Sequence, residues 1–208
     1  MKSIIKDALI LCLITIIAGG CLGLVYEITK EPIATQQEEA KNKAYREVFK
    51  TSDGRYLAEK FEAVEGLDMK KVAEAVTAAG IEKDEITDIA AAKDSSGLIV
   101  GYVFNVTAKD GYGGNIDFTV GILSDGTVNN ISLLSISETA GLGMKAKDDS
   151  FQAQYRGNKV DSFTVVKDGT GAANPDKIDA LSGATITSKA ITKGVNSAIA
   201  AFKFVTAK

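Results

Sequence analysis

The feature that most constrains the fold is an uncharged apolar run near the N-terminus, residues 8–26. A helix rises about 1.5 Å per residue, so this run is long enough to cross about 30 Å of hydrocarbon. Lys2 and Lys6 precede the run, and their positive charge favours a cytoplasmic N-terminus with the main domain on the outer side of the cell membrane. We therefore predict a retained single-pass transmembrane anchor over residues 1–29, in contact with membrane lipid.

A cleaved leader is the alternative to a retained anchor. The apolar region of a signal peptide is usually shorter than this run, and no clear Ala-x-Ala site follows it. Residues 18–21, Ala-Gly-Gly-Cys, weakly resemble a lipoprotein cleavage site, but the leucine expected three positions before Cys21 is absent.

The segment after the anchor has the composition of a helix. Residues 31–50 are rich in Glu, Gln, Lys and Ala, and Pro32 suits the first turn of a helix. We predict a helical stalk over residues 30–58, followed by the main domain over residues 59–208. Within that domain, a further helix is predicted around residues 69–79, ending at Gly80.

Strand patterns dominate the middle of the chain. Apolar and β-branched residues predict strands at residues 98–106, 116–123 and 128–133, and Asp125-Gly126 is a strong hairpin signal between the second and third of these. The fold class that follows is α+β, an antiparallel sheet with flanking helices, preceded by one N-terminal transmembrane helix.

The C-terminal region predicts a long amphipathic helix. Its apolar residues recur at helical spacing, at Ile191, Val195, Ala198, Ile199 and Phe202. Residues 182–185, Ser-Gly-Ala-Thr, form a small-residue turn at its start, where unpaired amides and the helix dipole stabilise a phosphate. The alternative is that Thr185 or Thr187 only caps the helix.

Composition excludes several functional classes. The formal net charge is −3 with no basic cluster, so the chain lacks the electrostatic footprint of a nucleic-acid-binding protein. It contains no histidine, and both cysteines, Cys12 and Cys21, lie in the apolar run. We therefore expect no metal site, and any redox chemistry has to come from a bound organic cofactor.

Two glycine-rich loops are candidate ligand-binding segments or plain turns. The first is Gly-Tyr-Gly-Gly at residues 111–114, with Tyr112 as a flat apolar surface and Gly113 permitting close backbone approach. The second follows the third strand and contains Glu138, Thr139, Gly141, Leu142 and Gly143. Neither matches a dinucleotide-binding fingerprint or a P-loop.

Residues 179–185, Asp-x-x-Ser-Gly-Ala-Thr, resemble the flavinylation motif of the FMN-binding domain family, in which a threonine is esterified to the phosphate of FMN. With both glycine loops in the same order, the whole chain resembles the G subunits of Rnf electron-transport complexes. It resembles more distantly the C subunits of Na+-translocating NADH:quinone reductases. One departure is Ala140, where the family usually has proline. This replacement should loosen the backbone of the loop slightly.

The resemblance implies a function. FMN would be attached covalently to Thr185 by a separate flavin-transfer enzyme, with Ser182, Gly183, Ala184 and Thr187 beside it and both glycine loops near the ring. Asp179 would be a recognition residue for that enzyme or a local cap. The chain would be an electron-carrying subunit, without catalytic residues of its own, among other membrane subunits that couple ferredoxin:NAD+ electron transfer to Na+ or H+ translocation.

Two alternatives stay open at this point. One is a stand-alone, membrane-anchored flavoprotein reductase that passes electrons to an external acceptor. The other is a non-redox adhesion or solute-binding module in which residues 182–185 are only a capped turn.

Overall fold

A computed structural model describes residues 2–51 and 53–207 of the chain. The chain divides into two compact units, Met1–Asn42 and Lys43–Lys208.

The first unit is helical. Helix α1 spans Lys2–Glu47, and its apolar part is long enough to cross a membrane and is not buried against protein. This fits the predicted single-pass anchor. Pro32 lies inside α1, and not in the first turn of a separate stalk helix as the sequence suggested. A proline removes one backbone hydrogen bond, but the strong helix formers on both sides of it maintain the helix.

The second unit contains an antiparallel sheet of five strands in the order β1-β2-β3-β4-β5, counted within its described residues. The strands are β1 Lys60–Ala63, β2 Glu85–Lys93, β3 Ile99–Ala108, β4 Ile116–Leu123 and β5 Val128–Ile136. Strands β6 Thr164–Val166 and β7 Lys177–Asp179 form a separate parallel pair. The predicted α+β class is confirmed, and the three predicted strands correspond to β3, β4 and β5.

Strands β1 and β2 are additions to the predicted sheet. β2 contains Ala90-Ala91-Ala92, and alanine is depleted in strands, so its sequence carries a weak strand signal. Ala90 and Ala92 are buried because the aromatic rings of Tyr45, Phe49 and Phe61 fill the space beside them.

One face of the sheet packs against two helices, α2 Met69–Ala78 and α4 Thr185–Thr206. The apolar face predicted for the C-terminal helix is buried throughout. Gly194 lets α4 approach the sheet closely, because a Cβ there would lie 2.7 Å from the Phe118 ring. A short helix, α3 Asp149–Gln152, follows the 3-10 turn Gly143–Lys147.

The other face of the sheet packs against other residues of the second unit, which are Tyr45 in the last turn of α1 and the residues that follow the helix. Val48 and Phe49 are fully buried, and helix α1 ends at Glu47, so residues 48–51 and 53–58 of the predicted stalk are not helical. The Tyr45 hydroxyl donates to Asp88 Oδ2 (2.9 Å) and accepts from Asn105 Nδ2 (2.7 Å). Burial is the main cause that raises the pKa of Tyr45, so this hydroxyl stays protonated.

Candidate functional site

A cavity of about 440 Å³, called here the Thr185 cavity, lies at the end of the sheet where strands β3 and β5 finish. Ala108 pairs with Ile116, and Ile116 pairs with Ile136, so the loop after β3 and the segment after β5 begin at the same end of the sheet, on either side of β4. The N-terminus of α4 completes the wall. The lining residues are Tyr112, Glu138, Thr139, Leu142, Gly143, Gly183, Ala184, Thr185, Ile186 and Thr187.

The N-terminus of α4 supplies unpaired donors to this cavity. Ala184 is the N-cap residue, and no described side chain caps the helix. The first helical backbone bond runs from Ser188 N to Ala184 O (3.0 Å), so the amides of residues 185–187 precede the intrahelical pattern. Gly183 has φ +74°, which favours glycine, and it turns the chain into the helix.

The four hydroxyls of this region differ in environment. Thr185 is half-buried and lines the cavity, whereas Ser182 is exposed and is not part of the lining. Thr187 is almost completely buried at the cavity wall. Ser188 is fully buried, accepts from Leu181 N (3.0 Å) and donates to Ala184 O (3.0 Å). Thr185 is therefore the hydroxyl that both lines the cavity and is accessible from it.

The segment after β5 forms a tight turn over the cavity. The Thr139 carbonyl accepts from Leu142 N (3.1 Å) and Met144 N (3.2 Å), and Gly141 has φ +77° within this turn. Glu138 packs on Gly143, where an added Cβ would lie 2.8 Å from Glu138 Cβ and 2.9 Å from its Oε2. Among the described residues, Glu138 Oε1 is buried and finds no hydrogen-bond partner.

The loop after β3 contacts the segment after β5 through Gly113. A Cβ on Gly113 would lie 2.0 Å from the Ser137 carbonyl oxygen, a backbone atom, so only glycine allows this contact. Tyr112 is 72% exposed, and Leu142 (42%) and Ile186 (53%) are also exposed. These three side chains form an apolar rim at the cavity.

Nine of the predicted site residues line the cavity and three do not. Ser182, Gly113 and Gly141 lie outside the lining, and the two glycines act through loop conformation. Ile186 was not predicted. The sequence feature that could have indicated it is an isoleucine between Thr185 and Thr187, at a position outside the buried face of α4.

Asp179 has a local structural role. Its Oδ1 accepts from Gly171 N (3.1 Å), and its backbone N–H donates to Gln154 Oε1 (2.7 Å). Of the two roles suggested by the sequence, these contacts support the local cap. No group of His, Cys, Asp or Glu suited to a metal ion occurs among the described residues.

Comparisons with known proteins agree with these observations. The family described as FMN-binding domain matches residues 111–200, and the family described as RnfG N-terminal region matches residues 1–48. The chain is 33% identical to the G subunit of the Na+-translocating ferredoxin:NAD+ oxidoreductase complex of Acetobacterium woodii, over 97% of this chain and 93% of that protein. It is 36% identical to the G subunit of the proton-translocating ferredoxin:NAD+ oxidoreductase complex of Clostridium ljungdahlii, over 95% and 89%.

A solved structure supports the fold. The C subunit of the Na+-translocating NADH-quinone reductase from Parabacteroides distasonis superposes with a TM-score of 0.53 at 21% identity, covering 83% of this chain and 94% of that chain.

The residues of the Thr185 cavity fit FMN. Unpaired helix amides suit its phosphate, and the apolar rim suits a flat ring. The unpartnered Glu138 oxygen suits a donor on the ring or on the ribityl chain, because the terminal torsion of a glutamate is soft enough to turn that oxygen toward it.

Proposed function

We propose an electron-carrying role for this chain, which belongs to the family of G subunits of ion-translocating ferredoxin:NAD+ oxidoreductase complexes. In this role it is a flavoprotein subunit beside other membrane subunits. The complex couples electron transfer between ferredoxin and NAD+ to the translocation of Na+ or H+. Family membership argues against a non-redox adhesion module. Copurification with other membrane subunits would distinguish the complex from a stand-alone reductase.

The observation that carries the proposal is the position of Thr185. It is the first residue of an uncapped 22-residue helix and lines a cavity of about 440 Å³. A phosphodiester on its hydroxyl retains one negative charge. The helix dipole stabilises such a charge by about 0.3–1 kcal/mol at an exposed site.

We propose that FMN is linked covalently through its phosphate to Thr185. In this step the Thr185 oxygen attacks the flavin-bearing phosphorus of a flavin diphosphate ester held by a flavin-transfer enzyme. The P–O bond to the second phosphate breaks, that phosphate leaves with its substituent, and the hydroxyl proton passes to a base of the enzyme. Covalent linkage suits a domain outside the cell, because non-covalent retention depends on the concentration of free FMN.

The remaining lining residues would hold and orient the ring. Bound FMN supplies reversible electron exchange, so the protein needs no proton-transfer dyad of its own. Tyr112, Leu142 and Ile186 offer apolar surface, while Thr139 and the backbone near Leu142 offer hydrogen bonds. Ala184 and Gly183 leave room for the phosphate at the helix N-terminus.

The attachment site is tested by replacing single hydroxyls in the full chain expressed with a flavin-transfer enzyme. We expect Thr185→Ala to give a folded, colourless protein. Ser188→Ala is the control, because its hydroxyl is buried and lies outside residues 179–185. Both Ser188→Ala and Thr187→Ala should be labelled at least partly. Peptide mass spectrometry locates the adduct, and an adduct on any hydroxyl other than Thr185 refutes the assignment.

We further propose that residues 1–29 cross the membrane with the N-terminus inside, that residues 30–58 form the stalk region, and that residues 59–208 lie outside. Protease added to right-side-out spheroplasts should then digest the domain. Protection of the domain there, with digestion in inverted vesicles, would reverse this orientation.

A further inference from the structure

The base of the Tyr112 loop is held by an ion-pair cluster. Asp110 immediately precedes the loop, and its two carboxylate oxygens contact different lysines. Oδ2 lies 2.9 Å from Lys193 Nζ, and Oδ1 lies 3.0 Å from Lys83 Nζ. We call these three residues the Asp110 clamp.

The clamp connects two of the segments that line the Thr185 cavity. Lys193 belongs to α4, eight residues after Thr185, and α4 begins at the cavity wall. A helix rises about 12 Å over eight residues, so one helix carries both the proposed attachment residue and the anchor point of the loop. Tyr112, two residues after Asp110, lines the same cavity.

A second carboxylate strengthens the position of Lys193. Asp84 precedes β2, accepts from the Lys109 backbone N–H and from Ser197 Oγ, and interacts electrostatically with Lys193. The hydrogen bond to Asp110 is the main cause that raises the pKa of Lys193, with Asp84 adding to it. The ammonium group therefore stays charged between the loop and the start of β2.

We propose that Asp110 and Lys193 are positioning residues that hold the Tyr112 loop against α4 and thereby set the surroundings of the cofactor. The inference rests on the proposed function only for its effect on FMN. The loop needs such a restraint because three of its four residues are glycines, which leave its backbone unusually free. Tyr112 itself is largely exposed, so packing alone restrains it weakly.

The clamp should act locally and not on global stability. The side chains of Lys193 and Asp110 are 32% and 35% exposed, and partly exposed ion pairs contribute little to the free energy of unfolding. We expect loss of the clamp to increase the population of displaced loop by up to about fivefold.

The absence of tryptophan from this chain allows a site-specific test. Tyr112→Trp places a single fluorophore on the loop of the full-length protein in detergent. Lys193→Met in this background should lower the fluorescence anisotropy of the introduced tryptophan and increase its quenching by acrylamide. Asp110→Asn removes the carboxylate charge from both ion pairs and should also lower the anisotropy and increase the quenching.

Lys203→Met is the matched control, because it also removes an ion pair of α4, Lys203 Nζ to Asp161 Oδ1 at 2.6 Å. It should leave the anisotropy and quenching of the introduced tryptophan unchanged, while the thermal midpoints of all three variants stay similar. If Lys193→Met and Asp110→Asn leave that fluorescence as the control does, the clamp is refuted.

Flavin measurements separate this inference from the proposed function. In protein with Tyr112 intact and FMN attached, Lys193→Met and Asp110→Asn should change the flavin fluorescence yield, and Lys203→Met should not. A mobile tryptophan on the loop with unchanged flavin fluorescence refutes the positioning role. If no protein acquires FMN, the proposed function fails, and the tryptophan measurement still decides whether the clamp exists.

Discussion

Adding a single methyl group at Gly143 should reduce cofactor binding by more than the accompanying loss of stability explains. A Cβ there would lie 2.8 Å from Glu138 Cβ, 2.8 Å from Thr187 Oγ1 and 2.9 Å from Glu138 Oε2. All three are side-chain atoms at the wall of the Thr185 cavity, so they can move only partly away. Such overpacking costs about 1–3 kcal/mol.

Gly141→Ala is the comparison variant. Gly141 has φ +77°, and nothing in the described part of the chain lies within 4 Å of the Cβ position. Its cost of about 1–2 kcal/mol comes from the left-handed backbone conformation. Both variants should lower the thermal midpoint by about 2–4 °C for each kcal/mol lost.

The two variants should differ in flavin content. Gly143→Ala pushes Glu138 or Thr187 into the space beside the proposed attachment residue, so its FMN-labelled fraction should fall well below that of Gly141→Ala. Intact-protein mass spectrometry measures this fraction, and circular dichroism measures the midpoint. Equal labelling at equal stability, or a larger loss in Gly141→Ala, would refute the argument that Gly143 keeps this wall of the cavity open.

Two further predictions concern groups outside the cavity. Burial raises the pKa of Asp84, so the folded protein holds this proton more tightly than the unfolded chain does. The resulting stability is present below the unfolded-state pKa of about 3.9 and is lost as pH rises through the folded-state pKa. Asp84→Asn should therefore raise the thermal midpoint at neutral pH, and the gain should be small because Asp84 is only partly buried. The gain should vanish below about pH 3.9, and a gain that is independent of pH would contradict the assignment. Asn129 Nδ2 donates to the Val48 carbonyl (2.6 Å) and the Lys50 carbonyl (3.3 Å) just after α1, so Asn129→Ala leaves buried acceptors unpaired. It should cost about 1–3 kcal/mol in thermal unfolding, and an unchanged midpoint would mean that water replaces the amide.

The elements that the sequence predicted are those whose packing follows a simple period. In β4, Ile116, Phe118, Val120 and Ile122 alternate with residues of the other face, and all four are buried. In α4 the apolar residues follow the helical period. β2 lacks a comparable signal because three of its four buried residues are alanines, and the burial of Ala90 and Ala92 depends on aromatic side chains that lie far earlier in the chain.

The sequence predicted which segments form the site, but not how their residues meet to form the cavity. Turn chemistry and the motif indicated the segments around Tyr112, Glu138 and Thr185, and the structure brings all three to one cavity. The sequence could not show that Gly113 acts by contacting Ser137, because that contact depends on how two loops meet. Nor could it show that Ile186 joins the rim, because the end of the buried helical face is set by the depth at which α4 packs.

The orientation of Ile136 follows from an irregularity in β5. Phe118 pairs with Leu133, but Asp117 pairs with Ser135, so Leu134 is an extra residue at a bulge. Side chains alternate between faces along a strand, and one inserted residue reverses the alternation beyond it. Ile136 is therefore buried opposite Ile116, whereas an unbroken strand would direct it to the face away from α4. Glu138 lies two residues beyond the end of β5 and lines the Thr185 cavity, where it packs on Gly143. The bulge thus sets the face of the sheet on which β5 ends beside this cavity, and a strict period-2 pattern in the sequence would have ended it on the opposite face.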